Sequence, residues 1–103
     1  MSDRQMVMVG FMQAQNCSNY SASWRHSESA GDFMSPAYYQ RIARALEDGK
    51  FHLGFFDDRL AMPDIYGADH AESVRNGVRV VKMDPIPSLA TMAMGTKCLG
   101  LAA

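Results

Sequence analysis

Trp24-Arg25-His26 sets an indole, a guanidinium and an imidazole side by side in a chain of 103 residues. Such a trio can bind an anionic or aromatic ligand. The plainer alternative has Trp24 packing its loop onto the rim of the fold and Arg25 pairing with a local carboxylate. His26 has the side chain of a general base, but the sequence by itself assigns it no Ser, Cys or carboxylate partner. Asp57-Asp58 is the second candidate. A carboxylate closing a strand can accept hydrogen bonds from a ligand's N–H or O–H groups, or it can cap the turn that follows.

Other chemistries find no support. His26, His52 and His70 share no i, i+4 ligand spacing, and Cys17 and Cys98 are too far apart and too few for a zinc site or a disulfide scaffold, so no metal is expected and both cysteines read as reduced thiols. The nine methionines read as core filler. Neither GxGxxG nor GxxxxGK[ST] is present, which removes the usual nucleotide phosphate loops. Ten basic and eleven acidic side chains give a net charge of -1 without a basic stripe, which argues against nucleic acid as a partner. The polar start Met-Ser-Asp-Arg-Gln precedes an apolar run too short for a signal-peptide core or for a membrane span of about 20 residues. A cytoplasmic protein with no membrane association is the expectation.

The elements that must position these candidates follow from pattern and punctuation. Met6 to Met12 is a nearly continuous apolar run of strand length, as in a strand buried on both faces. Residues 13–35 are rich in Asn, Ser and Gly and read as a long loop, a length that is usually functional or disordered. Ser35-Pro36 supplies an N-cap hydroxyl and a proline at the first helical position, and Tyr39, Ile42, Ala43 and Leu46 then form one apolar face. Gly49 is placed to end that helix as a left-handed cap. Phe51 to Phe56 predicts a second strand, stopped by Asp57-Asp58-Arg59. Residues 60–83 read as loop, with Asn76-Gly77 beside Val78 to Val81 suggesting a small hairpin. Asp84-Pro85 repeats the cap-then-proline signal, and Ile86, Leu89, Ala90, Ala93, Met94 and Lys97 predict a mostly buried helix. Leu99 to Ala103 begins a third strand.

Strand, helix, strand, helix, strand in this order predicts an α/β fold built from parallel crossovers. Three parallel strands with two helices leave strand edges open and one sheet face uncovered, so further units are expected after Ala103. Ligands in such folds bind beyond the carboxyl ends of the strands, where both long loops lie.

Three segments, in order, carry a family resemblance: Trp24-Arg25-His26, the stretch from Tyr38 to Phe51, and Asp84-Pro85 followed by Leu89-Ala90-Thr91-Met92-Ala93. Together they resemble the N-terminal region of the nitrilotriacetate monooxygenase component A group, which includes the dibenzothiophene-sulfone monooxygenases, within the bacterial-luciferase-like flavin-dependent monooxygenases. The resemblance covers essentially the whole chain. It implies that residues 1–103 are the N-terminal βαβαβ portion of a (β/α)8 TIM barrel, incomplete and cut in its third strand, since such barrels take about 250 residues. It also implies reduced FMN, supplied by a separate NAD(P)H-dependent flavin reductase, reacting with dioxygen to oxidise a small organic substrate of organosulfur or aminocarboxylate type. The parent is expected to be a homo-oligomer.

Matched by position, the cofactor-binding residue implied by the resemblance is Asp58; the catalytic residues and further flavin contacts would lie after Ala103. Two departures bear on its surroundings: His52 replaces an acidic residue frequent early in the second strand, and Asp57 stands where relatives vary. The alternative is a small flavin-binding or interaction protein without catalysis of its own.

Overall fold

Ser35-Pro36 and Asp84-Pro85 start helices for the reason their chemistry suggests. In order, the chain forms β1 (Val9–Gln13), α1 (Pro36–Asp48), β2 (Leu53–Asp57), a short α2 (Ala71–Asn76), α3 (Pro85–Gly95) and β3 (Gly100–Ala102). The computed structural model describes residues 3–16, 20, 22–29 and 31–103; the expectation of a reduced thiol at Cys17 lies outside them. The Ser35 hydroxyl accepts the Tyr38 N–H at 3.3 Å, and the Asp84 carboxylate accepts the Ile86 N–H at 2.9 Å. Each cap satisfies one of the N–H groups that a helix start leaves without an internal partner.

The three strands form one parallel sheet in the order β1-β2-β3. Gly10 lies opposite Gly54 and Gln13 opposite Asp57, while Leu53 lies opposite Gly100. Side chains alternate between the two faces of such a sheet. A Cβ on Gly10 would sit 2.7 Å from the Leu46 side chain, so the absence of one lets α1 settle close against β1. Gly10, Met12, Gly54, Phe56 and Leu101 therefore face the helices. Val9, Phe11, Gln13, Leu53, Phe55 and Asp57 face the other way, and Phe11 and Phe55 stand 6.0 Å apart there.

The core lies between the sheet and the helices, with α1 packed on α3. Ala14, Tyr39, Ala43, Phe56, Met92 and Leu99 form it, and Met12, Leu46, Phe51, Met83 and Leu89 pack against it. Burying side chains the size of Phe56 and Met92 contributes roughly 1.5–3 kcal/mol each. Among the described residues no helix is long and apolar enough to cross a membrane.

Several local expectations need correction. The apolar run from Met6 is longer than the strand: pairing within β1 begins at Val9, and within these 103 residues both helices cover one side of the sheet, leaving Phe11 60% exposed on the other. α3 buries Pro85, Ser88 and Met92, while Ile86 and Met94 face outward. A helix with so few polar residues carries no pattern that selects a face, and the fit against α1 selects it instead.

Gly49 is not left-handed. It has φ -75°, and the left-handed residue is Lys50, with φ 62°. The Lys50 N–H donates to the Glu47 carbonyl and the Phe51 N–H to the Leu46 carbonyl, which closes the helix one residue later than expected. Asn76-Gly77 makes no hairpin. Gly77, at φ 64°, ends α2 by the same double hydrogen-bonding pattern, with its N–H on the Val74 carbonyl and that of Val78 on the Ser73 carbonyl.

Candidate functional site at the carboxyl ends of the strands

β1 and β2 run side by side, so their last residues, Gln13 and Asp57, meet on the face away from the helices. The Gln13 side-chain amide donates to the Asp57 carboxylate at 3.3 Å, and the Gln15 side-chain amide donates to the Gln13 side-chain oxygen Oε1 at 2.8 Å. Arg59 reaches back to the same Asp57 carboxylate at 3.7 Å. Gln15 also forms an isolated antiparallel bridge with Lys82, whose ammonium group donates to the carbonyls of Arg59 at 2.5 Å and Ala61 at 2.7 Å. The two long loops are thus tied together over the strand ends.

Asp58 is the first residue beyond β2 and is exposed beside this network. Gln13, Ala14, Gln15, Asp57, Asp58, Arg59, Lys82 and Met83 enclose a crevice of about 10 Å³, room for one water at most, so a larger ligand would meet only their rim. That rim offers carboxylate acceptors, amides that both donate and accept, and two cations. It suits a ligand with ring N–H groups and anionic oxygens.

The structure brings Asp57 and Asp58 to this mouth, and none of Trp24, Arg25 and His26 lines it. Trp24 lies in a single 3-10 turn, Ser23–Arg25, and packs against the end of α2. Its indole N–H donates to the Asn76 carbonyl at 3.3 Å, and a Cβ on Gly77 would meet the ring at 3.2 Å. Arg25 stacks over that ring with its guanidinium carbon 4.8 Å from the centroid. His26 is occupied locally, its Nδ1 accepting the Glu28 N–H at 3.2 Å. The packing role of Trp24 is therefore real, and its support is α2 and the Gly77 cap. Arg25 is in no ion pair among the described residues.

Gln13, Gln15, Arg59 and Lys82 were not among the residues singled out by sequence. Gln13 was within reach: counting by twos from Phe11 along β1 places it on the same face at the strand end. Nothing in the sequence signals Lys82, because its role depends on how two loops cross.

At the opposite end of the strands, Glu47 in the last turn of α1 accepts three consecutive N–H groups, from Lys97 at 2.8 Å, Cys98 at 2.6 Å and Leu99 at 3.2 Å. The Cys98 and Lys97 amides hold its carboxyl below the ordinary carboxylate range; desolvation opposes them, and the Leu99 amide and the charge of Lys97 add to the lowering. This clip fixes the turn from α3 into β3, on the side of the sheet remote from the mouth.

No protein-family model matches the chain. It is 45% identical over 101 residues to a dibenzothiophene-sulfone monooxygenase of Rhodococcus erythropolis, covering 97% of this chain and 22% of that protein. The crystal structure of a long-chain alkane monooxygenase, LadA, superimposes with a TM-score of 0.85 at 26% identity, over 97% of this chain and 23% of the other. A riboflavin lyase crystallised with modified FMN and riboflavin gives a TM-score of 0.80 at 26% identity, over 95% and 22%. The chain spans about a fifth of the length of the relatives it matches.

Proposed function

We propose that this chain is a portion of an α/β barrel of the luciferase-like flavin-dependent monooxygenases and that it supplies the first flavin contacts of such an enzyme. Residues 1–103 are then the N-terminal part of the barrel domain, and further barrel units supply the remaining contacts and the catalytic residues. The observation that carries this is the convergence of Gln13, Asp57 and Asp58 at the carboxyl ends of two parallel strands, in a chain 45% identical to a dibenzothiophene-sulfone monooxygenase. Ligands of barrel enzymes bind at that end.

In this role the Asp58 carboxylate accepts a hydrogen bond from a donor group of the flavin. Asp57, held by the Gln13 amide and Arg59, is occupied within the protein and sets the turn on which Asp58 stands. Reduced FMN, delivered by a separate NAD(P)H-dependent reductase, supplies the reactivity toward dioxygen by which one oxygen atom reaches a small organic substrate of organosulfur or aminocarboxylate type. The setting is cytoplasmic and the parent assembles as a homo-oligomer.

The test is a titration of the protein with FMN, followed by flavin fluorescence, for the native sequence and for Asp58→Asn. A lost charge-assisted hydrogen bond predicts weaker binding by about tenfold or more. Equal affinity in both proteins would remove Asp58 from the site.

A further inference from the structure

A second cleft, of about 340 Å³, opens between the Ser23–Arg25 turn and α2, lined by Ala22, Arg25, Glu72, Ser73, Asn76 and Val78. Its volume falls in the range of small-molecule sites. Two of its groups carry charge, and they are in different situations. The Glu72 carboxylate is taken up by Arg75 at 2.7 Å and by the Asn76 amide at 3.3 Å. Arg25 has the Trp24 ring behind it and no carboxylate within ion-pair distance among the described residues. Charge is thus balanced at Glu72 and left over at Arg25.

The backing is firm. Trp24 is pinned by its hydrogen bond to Asn76 and by contact with Gly77, and the Asn16 side-chain amide donates to the Gly77 carbonyl at 2.9 Å. A guanidinium stacked on a fixed indole loses less freedom when it grips a ligand than one on a mobile stem. Its planar fork matches the oxygens of a carboxylate, sulfinate or sulfonate. Ala22 and Val78 supply apolar wall for a ring.

From this geometry we infer that the cleft binds an aryl anion, with Arg25 gripping the anionic group and Trp24 holding Arg25 in place. Treating that anion as the compound to be oxygenated rests on the flavin reading above. The binding itself does not.

Trp24 is the single tryptophan of the chain and lies against Arg25, which lines the cleft, so its emission reports on a ligand gripped by Arg25. The experiment titrates the protein with benzenesulfonate and, separately, with the neutral isostere benzenesulfonamide, following Trp24 fluorescence. A saturable change with benzenesulfonate, at least about tenfold tighter than with the amide and weakened by salt, is expected. Arg25→Gln should abolish that preference while leaving the far-ultraviolet circular dichroism unchanged. No saturation by about 10 mM, a Kd beyond the weakest specific sites, overturns the inference. So does equal affinity for the two ligands in the native protein, a comparison that does not depend on the variant folding. An FMN titration of the same sample separates the two ideas: loss of flavin binding with retained anion preference would sink the flavin reading and leave the cleft assignment standing.

Discussion

Replacing Gly77 by alanine probes the support beneath Trp24, and Gly67 provides its control. Both glycines have positive φ, 64° at Gly77 and 75° at Gly67. An L side chain in that region costs roughly 1–2 kcal/mol, offset by about 0.4–1 kcal/mol because alanine restricts the unfolded chain. Gly67→Ala should therefore lose about 0.5–1 kcal/mol, since its new methyl would meet only an Asp69 oxygen at 3.8 Å. At Gly77 the methyl would lie 3.2 Å from three atoms of the indole, tighter than ordinary contact. Trp24 must shift, and its hydrogen bond to Asn76 is worth roughly 0.5–1.5 kcal/mol. The total for Gly77→Ala is then about 1–2.5 kcal/mol. Urea denaturation followed by circular dichroism measures both losses, and the native-state Trp24 emission should move to the red only for Gly77→Ala. If the two variants lose equal stability, or if the emission of Gly77→Ala stays at the native wavelength, the indole is not held by the α2 cap and the argument for a fixed Arg25 fails with it.

Adjacent phenylalanines should answer very differently to truncation. Phe56 is 1% exposed beneath the helices, so Phe56→Ala should cost about 3–5 kcal/mol by the urea midpoint, whereas Phe55→Ala, on the open face, should cost clearly less. Glu47 predicts an acid limb. Its folded pKa lies below the ordinary 4.5, so its stabilising contribution is present above that value and is lost as pH falls through the depressed folded pKa. Glu47→Gln should flatten the pH dependence of the urea midpoint below about pH 4.5, and an unchanged slope would show that the clip carries no linkage.

How much of this was legible in the sequence follows from which interactions are local. Helix starts were, because Ser35-Pro36 and Asp84-Pro85 act within three residues of themselves. The parallel order of strands and helices was too, since it depends on apolar runs and punctuation. The outward face of α3 was not, because α1 decides it, and neither was the left-handed Lys50, where a lysine takes a conformation usually left to glycine. The Asn76-Gly77 signal was correct about positive φ and wrong about its use: Ala71 to Asn76 can form a helical turn, so the glycine closes that turn. At the mouth, Asp57 and Asp58 announced themselves by position. Of the groups around them, Gln13 meets Asp57 through the register of β1 on β2 and Arg59 is next in sequence to Asp58, whereas Lys82 reaches the mouth only because the two loops cross.

The Glu47 clip has a consequence for how such a chain can diversify. It joins the first strand-helix unit to the second at the amino ends of the strands, far from the loops that carry the ligand-facing groups. Insertions and replacements within residues 14–34 or 58–83 therefore fall outside the joint that holds the units in register. Scaffold and recognition surface can drift at separate rates, so new ligands can be explored without rebuilding the sheet.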